Sequence, residues 1–333
     1  MDFDDIPKKL LEAKKRHHHV WAYYIRGWSI DGRHVFVPVG KDRIIRPENI
    51  NQICATQHFY RTSPLTSTQI SLIKSISSQS KSSILRKEHE FLLNDFIELQ
   101  NRMKLLRISG LPESQVHSLE EAIWCNALED MHGSLERDAR SAFNKLRDRM
   151  NEKLTQEELF LFIEYIAHQF TRTKAFRDKS LKSNSKTNTI PSIVTDTASQ
   201  CWWFLSYLFG VNLSFDLQTR RRDCILTLLV NDSETPFITS DQPVINIHPA
   251  LLGENKQQLA EHELDLYYPL SPTVAYVIGQ SGQFPAGVTE VNQTNVHELN
   301  IRISKTANDI IISNCAESLR PYRKYIGEKL QSI

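Results

Sequence analysis

The chemistry this sequence can offer rests on a histidine triplet, one arginine and a few carboxylates. Glu129 and His132 stand three apart, with Cys125 and Glu136 on the same flank of a helical pattern, so their side chains face one way. That Glu-x-x-His spacing serves carboxylate-bridged di-metal sites, which also need a second such pair and two further glutamates. The nearest analogue, Glu164 and His168, is spaced i, i+4 instead. A lone Glu-x-x-His is common by chance on amphipathic helices and reads first as a solvated or hydrogen-bonded helix face.

Tyr165, Gln169, Arg172 and Phe176 fall on one stripe of a later helix, beside a purely apolar stripe. An arginine at that edge can grip a carboxylate or phosphate with its planar fork, or pair with a buried acid such as Glu129 or Asp241. Asp241 follows a β-type run and precedes Pro243, which places it at a strand end or sharp turn. There it is a metal ligand or general base, or simply accepts hydrogen bonds from its own loop. His18 begins a strand. On that strand His17 and His19 share one face and His18 takes the other, where it can exchange a proton near neutral pH; a surface histidine cluster is the alternative.

Positioning these residues requires a mixed set of elements. Val20–Val39 alternates bulky and polar residues around Asp31-Gly32, which predicts a two-stranded hairpin, and Arg46–Ile50 reads as a turn. Residues 63–83 are rich in Ser, Thr and Gln and read as a loop or a weak helix. Helical periodicity spans 84–106, with Leu85, Phe91, Leu92, Phe96 and Leu99 inward. It resumes over 118–150, with Leu119, Ile123, Ala127, Met131, Leu135, Ala139 and Leu146 inward. Thr155 and Glu158 form a capping box ahead of a third helix. The polar stretch 177–189 reads as an exposed connection, and a helix through Cys201–Phe204 follows. Short β-branched runs at 224–230, 237–239, 244–247, 264–268 and 274–278 predict an antiparallel sheet, with a helix near 291–306 and a strand at 310–313. The expected class is α+β: a central helical bundle packed against an antiparallel sheet formed by the N-terminal hairpin and the C-terminal strands.

Composition narrows the function classes. Of 333 residues, 40% are hydrophobic and 24% charged, so the chain can bury a sizeable core. The net charge of +1 forces neither a nucleic-acid nor an acidic-membrane partner, and the basic runs Lys14-Lys15-Arg16 and Arg220-Arg221-Arg222 suit local phosphate contacts or a solvated surface. No apolar run reaches membrane-span length, and Met1–Leu11 lacks the apolar core of a secretion signal, so a cytoplasmic location is expected. Five dispersed cysteines without a Cys-x-x-Cys pair fit reduced thiols. The absence of Walker, Gly-x-Gly-x-x-Gly, Gly-x-Ser-x-Gly and His-Glu-x-x-His motifs disfavours nucleotide motors, dinucleotide enzymes, α/β-hydrolases and zincins.

Several local patterns, read in order, resemble the DUF4238 family of proteins of unknown function. They are the box His17–Trp28, the segment Arg46–Tyr60, the helix end His168–Thr173, the stretch Phe237–Val244 and the turn Tyr268–Pro272. Trp21 and Ala22 stand where the family usually has Pro and Gln. The resemblance implies one domain over 1–333, divided into an N-terminal β-hairpin region (17–62), a helical bundle (84–177), a mobile linker (178–189) and a mixed β-rich part (190–315). Within it, His18 is the histidine singled out.

Two classes of function follow. In the first, the chain is an intracellular nucleic-acid hydrolase of RNase type, suited by analogy to a toxin or antiviral effector. His18, Glu129, Gln169, Arg172 and Asp241 are then catalytic, and Glu129 with Asp241 holds Mg²⁺ or Mn²⁺. In the second, the same residues form a structural network in a sensor or partner-binding protein. Nucleic acid, a partner protein or a second copy of the chain are the partners these readings admit; a membrane is not.

Overall fold

A computed structural model describes residues 11–186, 192–252 and 263–328. The N-terminal part holds β1 (Arg16–His18), the single turn α1 (Ala22–Ile25), β2 (His34–Val39), β3 (Ile44–Asn49) and β4 (Ala55–Gln57). Helices follow: α2 (Ser67–Ser78), α3 (Ser83–Arg107), α4 (Glu113–Asp138), α5 (Arg140–Arg147), α6 (Gln156–Thr171), α7 (Lys174–Lys186), α8 (Ser192–Gln200) and α9 (Trp202–Thr219). The rest comprises β5 (Ile225–Asn231), β6 (Thr239–Ser240), β7 (Ile245–Asn246), β8 (Leu266–Ser271), β9 (Val274–Gly279), β10 (Gly287–Val291), α10 (Gln293–Thr306), β11 (Ile311–Ile312) and α11 (Ala316–Leu319). The α+β class holds.

The hairpin lies later than the alternation suggested. Val20, Tyr24, Ile25 and Trp28 are buried at steps of a helical turn, so the aromatic run wraps as α1 and a 3₁₀ turn instead of pairing as strands. Asp31 accepts the backbone amides of Arg33 and His34 and launches β2, which pairs antiparallel with β3. Arg46–Asn49, expected as a turn, is thus a strand; Pro47 is tolerated because β3 lies at the edge of its two-stranded sheet. His18 does lie on a strand, since β1 pairs antiparallel with β4.

Capping fixes the bundle. Thr66 and Gln69 form a reciprocal box that starts α2 within the Ser/Thr-rich stretch, and Thr155 with Glu158 does the same for α6 as expected. On α3, Leu85, Leu92 and Phe96 face inward, but Phe91 is 67% exposed and Leu93 takes its place. The helix expected over 118–150 divides at Ala139 into α4 and α5. Its fully buried line in α4 is Ala122, Trp124, Cys125, Leu128 and His132, one position off the predicted stripe. That shift turns Glu129, His132 and Glu136 toward the interior. The polar stretch expected as an exposed linker is largely α7, with Ala175 buried and Phe176 and Leu181 packed on the bundle; its residues 187–189 lie outside the described part. Packing of those few apolar residues overrides weak local propensity.

The C-terminal part builds a five-stranded sheet in the order β10-β5-β9-β8-β7, antiparallel except for β10, which runs parallel to β5. β6 pairs with β11, and Phe36 of β2 bridges to Ser313. Helix α6 packs on α9, α4 and α5, and α5 reaches β8 and β9, so one core runs from bundle to sheet. Each of Phe162, Ile163 and Ile166 is fully buried there, worth about 1.5–3 kcal/mol per side chain.

Candidate functional site

Arg172 caps the C-terminus of α6, and its guanidinium turns inward to 2% exposure. Its Nη2 donates to Glu136 Oε1 at 2.7 Å and to Gln169 Oε1 at 2.5 Å. Gln169 in turn donates through Nε2 to the His19 carbonyl at 2.9 Å, which ties α6 to β1. Tyr60 donates its hydroxyl to the Arg172 carbonyl at 3.1 Å, supplying a partner that the helix end lacks. Burial works against the Arg172 charge, but Glu136, with Tyr60 and Tyr165, outweighs it and holds the guanidinium above its usual range.

Glu129 and His132 face the same space from α4. Burial pushes the Glu129 carboxyl up to about 7, against the pull of Arg172, while Glu136 adds to the rise. Its Oε2 has no hydrogen-bond partner. His132 lies between the rings of Tyr60 (4.7 Å) and Tyr207 (5.5 Å), with His168 at 6.1 Å. Both of its ring nitrogens lack partners, as does Nδ1 of His168. Burial lowers His168 to about 3 and His132 well below its ordinary value, so both imidazoles are neutral at pH 7.

The three histidines divide as the strand periodicity requires, His17 and His18 within β1 and His19 directly after it. His17 and His19 are buried, and His18 is half-buried on the other face. The Tyr60 amide donates to His17 Nδ1 at 2.7 Å, so the proton sits on Nε2 and points at the Lys14 carbonyl 2.6 Å away. His17 is therefore structural. His18 keeps Nε2 unpartnered, and burial lowers its pKa, with Arg16 and Arg172 acting the same way. The His18 backbone opposes the rise of the Glu129 carboxyl, so the two residues are neighbours at one edge of the cluster.

Asp241 stands apart from this cluster. Oδ1 accepts the Asn308 amide at 2.9 Å, and Oδ2 accepts those of Asp309 and Ile310 at 2.7 and 3.3 Å. Burial raises the carboxyl to about 6 against the pull of those amides. The expected capture of backbone amides is present, but by a loop distant in sequence. Its neighbour Gln242 makes the connection to the bundle: Thr173 donates its hydroxyl to Gln242 Oε1, and Gln242 Nε2 donates to Val244. An Mg²⁺ or Mn²⁺ ion shared by Glu129 and Asp241 does not suit this arrangement, because both Asp241 oxygens are bonded to the 308–310 loop.

Four of the five residues singled out in the sequence thus gather around Arg172: His18, Glu129, Gln169 and Arg172 itself. Glu136, Tyr60 and His168 complete the cluster without having been assigned to it. Glu136 was legible as a residue two turns beyond Glu129 on one flank, and Tyr60 only as the end of the family-like segment Arg46–Tyr60. The stretches that resemble the family also meet: Tyr24 and Thr239 share a hydrogen bond of 2.5 Å, Trp28 Nε1 donates to the Phe237 carbonyl at 2.8 Å, and Thr173 donates to Gln242.

The fold and this polar centre define an α+β protein with a histidine-rich, arginine-centred interior. The chain belongs to the family described as protein of unknown function (DUF4238), whose model matches residues 16–317. No curated protein and no solved structure matches it. No helix among the described residues is long and apolar enough to cross a membrane.

Proposed function

We propose that this chain is an acid–base hydrolase of phosphodiesters, with nucleic acid as the substrate class and His18 and Glu129 as the proton-exchanging pair. The observation that carries the reading is the state of that pair: a half-buried imidazole and a carboxyl at about 7, each with an unpartnered atom, beside Arg172. A group that titrates near the working pH can both take and give a proton, which contributes typically 10²–10⁴ in rate. His18, neutral at pH 7, suits the base that accepts a proton from the attacking hydroxyl or water. Protonated Glu129 then delivers a proton to the leaving oxygen as the P–O bond breaks. Two cationic side chains stand near His18 at this edge, since Arg16 and Arg172 each add to the depression of its pKa. They favour an anionic substrate. A toxin or antiviral-defence effector acting in the cytoplasm is the setting this chemistry suits by analogy.

The test is incubation of the purified chain with RNA, single-stranded DNA and duplex DNA, with and without Mg²⁺ or Mn²⁺, beside Glu129→Gln and His18→Asn. Cleavage that falls by about 100-fold or more in either variant supports the reading. Cleavage equal to that of both variants on every substrate overturns it.

A second reading is favoured by the burial of the Arg172–Glu136 pair and by the bonds joining the family-like stretches. In it the cluster is a network that fixes bundle to sheet in a sensor or partner-binding protein, without catalysis. Thermal melts separate the two. A network predicts that Glu129→Gln, Arg172→Ala and Asp241→Asn each lower Tm by several degrees; a catalytic Glu129 predicts an unchanged or higher Tm for Glu129→Gln.

A further inference from the structure

A second constellation lies on the same face of α4, toward its N-terminus and one turn before Glu129. We propose that His58, Glu121 and Cys125 form a binding site for one divalent metal ion of the zinc class, with a fourth position open to solvent. One ligand atom from each residue lies within 4.8 Å of the other two. Cys125 Sγ is 3.7 Å from His58 Nδ1 and 3.7 Å from Glu121 Oε1. In a tetrahedral zinc site, bond lengths of about 2.3 Å to sulfur and about 2.0–2.1 Å to nitrogen or oxygen put neighbouring ligand atoms about 3.5 Å apart. The two separations from the sulfur are therefore close to the edges of such a tetrahedron before any ion draws the ligands together.

The elements that bring them there are rigid. Glu121 and Cys125 are one helical turn apart on α4 and project side by side. His58 follows β4 in a left-handed backbone conformation, φ 56°, and its amide is fixed to the Lys15 carbonyl at 2.8 Å. Arg61 donates to Glu121 Oε2 at 2.9 Å, which leaves Oε1 facing the sulfur. This is how an outer partner orients a ligating carboxylate. Cys125 is buried and His58 exposed, so the ion would sit at the surface with thiolate below and solvent above. A mixed sulfur, imidazole and carboxylate set suits zinc or a similar borderline ion better than Mg²⁺ or Ca²⁺, which prefer oxygen alone. On binding, the Cys125 S–H bond breaks, a sulfur–metal bond forms and the proton passes to solvent.

Cobalt(II) reports on such a site because thiolate ligation produces a charge-transfer absorption in the near ultraviolet. The full chain, reduced and stripped with a chelator, is titrated with Co²⁺ and then with Zn²⁺. We expect the band to saturate at one ion per chain, to disappear on adding Zn²⁺, and to be absent in Cys125→Ser. In His58→Asn, which keeps a residue tolerant of the left-handed backbone, Co²⁺ affinity should fall at least tenfold with the melting curve retained. Should Cys125→Ser fail to fold, His58→Asn and Glu121→Gln carry the test alone. A folded wild-type chain that shows no thiolate band, or a band unchanged in the variants, overturns the proposal.

Discussion

Arg172 and Glu136 meet at 2.7 Å with the guanidinium 2% and the carboxylate 17% exposed, from two helices that no local signal in the sequence pairs. Losing either partner strands a buried charge, which costs about 3–5 kcal/mol. Arg172→Ala and Glu136→Gln should each lower the unfolding free energy by that order in denaturant titrations. Asp130→Asn, which removes only the exposed ion pair with Lys14, should cost under about 1 kcal/mol. Equal small effects at both pairs would remove the buried pair as an anchor of the fold.

The Glu129 carboxyl fixes a pH dependence with a definite sign. Its folded pKa, about 7, lies above the ordinary 4.5, so the folded chain binds the proton more tightly than the unfolded one. That contribution is complete below about pH 4.5 and is lost as pH rises through about 7. Relative to Glu129→Gln, the wild type should lose about 1.4 kcal/mol per pH unit within that window and run parallel to it above pH 8. Parallel curves throughout would show a carboxyl that titrates normally.

The buried histidines act in the opposite sense. His19 and His168 are both lowered to about 3 by burial, with nearby cations including Arg172 adding to the effect. Their contribution is full above about pH 6.5 and is lost as pH falls toward about 3, because unfolding lets each imidazole take up a proton. His168→Gln should reduce the slope of stability against pH by about 1.4 kcal/mol per unit between pH 5.5 and 4. An unchanged slope would contradict burial of a neutral imidazole at that position.

Helix α9 approaches α6 closely because residue 210 is glycine: a Cβ there would overlap the His168 imidazole. Gly210→Ala should therefore destabilise the chain by about 1–3 kcal/mol, even though alanine is the better helix former. A gain in stability, read from the denaturation midpoint, would mean that His168 yields freely.

Much of this protein was legible in its residues alone. The Thr155 box started α6 where expected, because a cap is a local exchange of hydrogen bonds between residues three apart. Strand alternation separated His18 from His17 and His19, and the stripe of Gln169 and Arg172 survived because helical spacing fixes neighbours on one helix. Local pattern failed where a distant surface decided. The aromatic run 20–28 coils as α1 to fill the space under Thr239 and Phe237, and the polar stretch of α7 is helical because a few apolar residues find a bundle to cover. Which acid Arg172 meets, which loop Asp241 holds and which face of α4 turns inward were decided only by tertiary packing. Those outcomes depend on the relative rotation of whole helices, and a sequence fixes that rotation only through the sum of all contacts in the core.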